Sequence, residues 1–278
     1  MKKTLIEKIG ELVAENEQYH QITGDQTLYD EFIAQYPVES LSELTLQDYC
    51  LGYGSKEKNF CWWLERGLQP VLGRYSPGTA RGHLIYLLQD GTYYKHRRLK
   101  DLSDEEAMQY MAKIHHVIAS TSPDDIGWLD SDDEIYRRAN VEPRVTMGPG
   151  RVLRVLNMYH PAHMPIISSS DHLKHFLEKL GETNIPPQPM ERLELYLQHY
   201  QSVKDQFDGK LTTRGFAVAL YSEEIGVQPP PRQSKSSAGD GVDGGVLPEL
   251  EETSESQAQN QILYGPPGTG KTLSLIHI

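Results

Sequence analysis

Residues 265–272 read Gly-Pro-Pro-Gly-Thr-Gly-Lys-Thr, a full copy of the pattern G-x-x-x-x-G-K-S/T. Its residue types suit a triphosphate. Gly265, Gly268 and Gly270 let the backbone turn tightly enough to aim successive N–H groups at phosphate oxygens, with Pro266, Pro267 and Thr269 completing the loop. Lys271 would bring a point charge to the β- and γ-phosphates, and the Thr272 hydroxyl would reach a nucleotide-bound Mg²⁺. The run Gln261-Ile262-Leu263-Tyr264 before the loop reads as the buried strand that feeds it. The alternative is a plain Gly/Pro turn between two elements. The pattern's fixed positions, met in a strand-to-loop setting, favour phosphate binding over that turn.

Only six residues follow Thr272. Hydrolysis also needs an acidic strand for Mg²⁺ and groups that orient the attacking water. The sequence is therefore read as the front of a longer protein that opens a motor domain, and this stretch is expected not to hydrolyse nucleotide by itself. No catalytic residue is named in it.

A second constellation lies between residues 66 and 100. Arg66, Arg74, Arg81, Lys95, Arg97, Arg98 and Lys100 face a single acid, Asp90, giving +6 locally in a chain of −12. Trp62, Trp63, Tyr75, Tyr86, Tyr93 and Tyr94 are interleaved with them. Cations that meet phosphate beside aromatics that stack on bases form a nucleic-acid footprint, and Arg74, Arg81, Lys95, Arg97, Arg98, Trp62 and Tyr93 are its candidate DNA-binding residues. Inspection of a modified base would also use an aromatic-walled pocket for a flipped nucleotide. Alternation along a strand sends half of the aromatics inward, and strand arginines can simply form a solvated face, so a protein-docking surface stays open as the rival reading.

The elements that must position these groups follow from periodicity. Apolar residues at helical spacing predict helices over residues 4–15, 28–35, 42–50, 151–159, 171–180, 190–207 and 213–221. Ser103 and Glu106 form a capping box for another helix running to about residue 121. Strands are expected over 59–65, 83–89 and 92–98, the last two joined by a two-residue turn at Asp90-Gly91. Residues 66–82 read as a long Gly/Pro-rich loop, and acidic residues 124–134 as a solvated turn, because they lack the order of a calcium loop. His115, His116, His160, His163, His172 and His175 lack a recognised metal-ligand spacing and are expected to cap or pack.

At 38% hydrophobic the chain has enough apolar residues for a packed core. The net charge of −12 argues against a generally basic nucleic-acid binder. Cys50 and Cys61 are too few for a disulfide framework, no long apolar run is present, and the charged start does not resemble a signal peptide. A cytoplasmic setting without a membrane is expected. The fold class is α+β: a mostly helical N-terminal domain with a small antiparallel sheet over 1–225, a flexible linker rich in Pro, Ser, Gly and acid over 226–257, and the start of an α/β P-loop domain over 258–278.

From Gln261 to Thr272 the wording resembles the Walker A entry of AAA+ NTPases, most closely the McrB-type subunits of methylcytosine-specific restriction systems. More loosely, Phe60-Cys61-Trp62-Trp63-Leu64-Glu65, the glycine-rich loop and the run 151–180 are similar to domains that precede such motors. The resemblance implies ATP or GTP hydrolysis with Mg²⁺, a nucleotide-dependent homo-hexamer, DNA recognition that extends to modified cytosine, and a nuclease subunit of the McrC type as partner. Of the family's functional residues only Gly265, Gly268, Gly270, Lys271 and Thr272 have counterparts here, and the choice between ATP and GTP stays open. Lys271→Ala in a full-length protein is expected to abolish nucleotide-dependent oligomers; assembly that persists in that variant removes the phosphate-loop assignment.

Overall fold

Most helices begin where a side chain can satisfy the free amides of a first turn. A computed structural model describes residues 4–53, 58–77, 80–207 and 209–230, apart from the side chains of residues 80 and 81. The phosphate loop at 265–272 and nearly all of the expected linker lie outside these residues. Helix α1 (Leu5–Glu15) starts at a Thr4/Glu7 capping box, and α2 (Gln26–Gln35) starts at Asp25, which accepts from the Leu28 amide at 2.9 Å. The expected helix over 42–50 is broken in two. A 3₁₀ segment occupies Val38–Glu43, and Thr45 and Asp48 cap a separate short helix, α3 (Leu46–Tyr49).

Residues 59–65 are not a strand. Asn59 accepts from the Trp62 amide at 2.9 Å and opens α4 (Phe60–Trp62), which continues as a π-helical turn over Trp63–Gly67. Phe60, Cys61, Trp63, Leu64, Gly67 and Leu68 are buried, a helical pattern hidden in a nearly continuous apolar run. Gly67 is required there, since a Cβ would lie 2.4 Å from the rings of Trp62 and Trp63. Helix α5 (Gln69–Leu72) then takes up part of the expected loop and ends at Gly73, whose φ is +73°.

The sheet is the expected antiparallel hairpin, much shortened: β1 (Ile85–Leu87) against β2 (Tyr93–Lys95). Leu88 donates to the Thr92 carbonyl at 2.8 Å, so three residues rather than two make the turn, with Gly91 at φ +84° and Asp90 accepting from the Thr92 amide. The second strand stops at Lys95 because His96 accepts from the Arg98 amide and starts a 3₁₀ turn over Arg97–Leu99.

Helix α6 (Asp104–Ala119), entered through the Ser103/Glu106 capping box, runs through the centre and packs on the 3₁₀ segment of residues 38–43, on α7 (Asp132–Ala139) and on α8 (Pro149–Tyr159). Helices α9 (Ser170–Lys179), α10 (Pro189–Lys204) and α11 (Thr213–Tyr221) complete the described residues, which share one hydrophobic core. The acidic stretch 124–134 is more than a solvated turn. Half-buried Asp130 accepts from the amides of Met190 and Glu191 and so caps α10, while Ser131 caps α7.

Helix α11 closes onto the segment after α1. Thr212 donates through both its amide and its hydroxyl to the Tyr19 carbonyl, and a Cβ on Gly215 would lie 1.9 Å from that same oxygen. Because the obstacle is backbone, Gly215→Ala should destabilise the protein by about 1–3 kcal/mol, read as a lower urea midpoint. An unchanged midpoint would show that this approach is looser than described.

Candidate nucleic-acid interface

The hairpin register divides the aromatics. Ile85 is buried opposite Lys95, and Leu87 faces Tyr93, which packs on the core. Tyr86 and Tyr94 therefore share the other face. Their rings stack with centroids 4.7 Å apart and planes 25° apart, both half-buried.

The expected basic residues divide in the same way. Lys95 Nζ lies 2.9 Å from Asp104 Oδ1 and donates to the Leu102 carbonyl, so this lysine fastens β2 to the N-terminus of α6 instead of standing free. Arg97 and Arg98 are exposed at the end of the hairpin, and among the described residues neither has a carboxylate in ion-pair range. Arg74 is exposed beyond Gly73, and the side chain of Arg81 lies outside the described residues. Trp62 sits edge-on to Trp63 at 5.0 Å on α4, on a helix and not on a strand beside the hairpin. Tyr93 turns toward the core.

One residue that sequence reasoning missed joins this surface. Arg98 Nη1 donates to the Arg144 carbonyl at 3.1 Å, and Arg144 Nη1 donates back to the Arg98 carbonyl at 3.3 Å and to Asp101 at 2.8 Å. This cross-brace joins positions 46 residues apart. Against it lie two adjoining clefts: an inner one of about 220 Å³ lined by Leu84, His96, Arg97, Arg98, Val145 and Thr146, and an outer one of about 560 Å³ lined by Arg98, Glu142, Pro143 and Arg144. Leu84, on the inner wall, has φ +69°. For a residue with a Cβ that conformation costs about 1–2 kcal/mol, and such strain collects at functional sites. It is held by the His96 amide, which donates to the Leu84 carbonyl at 2.8 Å.

Beneath the hairpin, α8 sends two arginines into the interior. Arg151 donates to the Tyr49 hydroxyl at 2.8 Å, the Gly82 carbonyl at 2.7 Å, His83 Nδ1 at 3.2 Å and His115 Nε2 at 3.4 Å. Arg154 donates to the carbonyls of Leu64, Leu72 and Gly73, with its guanidinium 5.6 Å from the Tyr75 ring. Burial lowers the Arg154 pKa to about 9, and its Nη2 has no partner among the described residues.

Burial, reinforced by Arg151, keeps both histidines neutral. His115 Nδ1 lies 2.7 Å from the Met111 carbonyl and must carry the hydrogen there, leaving Nε2 to accept from Arg151. His83 Nε2 lies 3.0 Å from Glu65, a contact that favours protonation, but burial and the guanidinium at its other nitrogen prevail. Burial first, then Arg151, pushes both pKa values down to about 3.

Of the other histidines expected to cap or pack, His116 contacts the Val38 carbonyl, His160 the Ala119 carbonyl, His172 the Tyr221 hydroxyl and His175 the Val227 carbonyl, whereas His163 is exposed. Among the described residues no three His, Cys, Asp or Glu side chains are grouped as metal ligands, and no helix is long and apolar enough to cross a membrane.

The neutral pair sets an acid dependence. Between about pH 6.5 and pH 3 the unfolded chain binds protons on residues 83 and 115 that the folded chain does not, so stability falls as pH falls, by up to about 1.4 kcal/mol per pH unit for each histidine. Urea unfolding at about pH 7 and pH 5 should show a smaller loss in His115→Gln than in the parent; equal losses would mean that this imidazole is not held neutral. Set against models of known families, curated proteins and solved structures, the chain matches none of them.

Proposed function

We propose that residues 1–225 are a nucleic-acid-recognition module placed ahead of a P-loop NTPase motor of the AAA+ type, in which residues 265–272 take ATP or GTP with Mg²⁺. The observation that carries the recognition half is the end of the hairpin. Arg97 and Arg98, exposed and without carboxylate partners among the described residues, stand beyond a strand pair whose outer face carries the stacked Tyr86 and Tyr94. Arginines of this kind contact phosphate, and aromatic faces accept bases with little sequence preference. The motor half rests on the residue pattern at 265–272 and its resemblance to McrB-type subunits, which extends the reading to a modification-dependent restriction system with DNA carrying a modified cytosine as target, a McrC-type nuclease as partner and a homo-oligomer as the working form.

A second reading, a face that docks a protein, draws support from Asp101 and Glu142. Both are exposed acids beside Arg144, and they lower the net charge at one edge of the surface.

Titration of the chain with plain and cytosine-modified duplexes between about 50 and 200 mM salt separates the two readings. A recognition module must bind with a steep negative salt slope, and replacing Arg97 and Arg98 by alanine together should reduce that slope by about 2. No binding at the lower salt would leave the docking reading in place.

A further inference from the structure

The two clefts beside the hairpin differ in whether an acid lines them. Exposed Glu142 lines the outer one, whereas the inner one has no acidic lining residue. The residues that line the inner cleft carry as polar side-chain groups the guanidiniums of Arg97 and Arg98, the imidazole of His96 and the hydroxyl of Thr146, every one able to donate a hydrogen bond. His96 Nδ1 already accepts from the Arg98 amide, so its hydrogen belongs on Nε2. Arg98 spends one donor on the Arg144 carbonyl and keeps the others. Leu84 and Val145 supply apolar walls, and the strained backbone of Leu84 shapes one of them.

At about 220 Å³ the inner cleft falls short of the ~300–1,000 Å³ usual for whole small-molecule ligands. It matches one small group, and two arginines beside other side-chain donors with no acid among the lining residues favour an anion. The cross-brace between Arg98 and Arg144 fixes the cleft's width before anything binds, so little side-chain freedom is lost on filling it.

We propose that the inner cleft is a phosphate seat, in which Arg98, His96 and Thr146 hold one phosphate ester while Arg97 screens its charge from outside. The proposal deepens the recognition reading and rests on it in one respect: the expected source of the ester is a phosphodiester of a bound duplex, which would fix the register of that duplex on the hairpin. A free phosphomonoester offers the same chemistry.

The chain with labelled valine and threonine methyl groups is titrated with inorganic phosphate, deoxycytidine monophosphate and a short duplex. The duplex should shift the Val145 and Thr146 methyl resonances, with inorganic phosphate competing weakly. Arg98→Gln should remove the shifts and lower the salt slope by about 1. Thr146→Val should reduce the Val145 shift, and Arg137→Gln, an arginine already engaged by Glu134 on α7, should change neither readout. Arg98 and Thr146 are exposed, so methyl resonances elsewhere report whether the variants keep their fold. Duplex binding with a steep slope but still methyls would overturn the seat and leave the recognition reading standing. Shifts with phosphate or the mononucleotide but no duplex binding would support the seat, name a small phosphomonoester as its source and overturn recognition. Methyls unmoved by all three probes would overturn the seat.

Discussion

Two guanidiniums one helical turn apart on α8 hold the middle of the chain in place. Between residues 64 and 83 the regular structure is confined to single short turns, Trp63–Gly67, Gln69–Leu72 and Ala80–His83, whose last carbonyls need donors from elsewhere. Arg154 collects three of these carbonyls, and Arg151 collects a fourth together with a tyrosine hydroxyl and two imidazoles. A buried carbonyl left without a donor costs about 1–3 kcal/mol, so the segment cannot take this course without α8 behind it. Among the described residues neither guanidinium has a carboxylate at ion-pair distance. Carbonyl dipoles and ring nitrogens balance the charge, and burial together with Arg151 keeps the two histidines neutral. Everything above follows from this arrangement: Arg151 orients His83, Tyr49 holds the His83 carbonyl, and the strained Leu84 leads straight into β1.

The hairpin that stands on this base is less basic than a count of residues suggests. Lys95 is spent on Asp104 and a carbonyl, and Arg144 on Asp101. What remains toward solvent at its end is Arg97, Arg98 and Lys100, near a pair of stacked rings. Local charge therefore reports on recognition only after the structural pairs have been removed from it.

How much of this was legible in the sequence depended on range. Ser103 and Asp90 act on residues two or three positions away, and the helix after residue 103 and the hairpin could be placed from such spacings. Residues 59–65 misled because an apolar run buried on most sides has no clear period, although Asn59 as a cap was a signal for helix. Trp62 consequently sits on a helix, and the basic-aromatic stripe expected along a strand does not form as written. Arg144 could not be found, since its bond to Arg98 spans 46 residues. Arg151 and Arg154 did leave a trace. A helix with Val152, Leu153, Val155 and Leu156 on its faces has no solvent side on which to place two charges, so both had to be buried and satisfied. The phosphate loop at 265–272 remains a matter of sequence, outside the described residues.

The closure of α11 on the segment after α1 has a consequence for how the protein is made. Gln18, Tyr19 and Gln21 offer carbonyls near the start of the chain to Thr212 and Arg214 near the end of the helical unit. A ribosome that has delivered ten helices has made a core with one wall absent, and the side of α1 that meets α11 stays wet until about residue 221 emerges. Contacts of such long range are slow to form, so the nascent chain passes through a period in which apolar surface is open to chaperones and to neighbouring nascent copies.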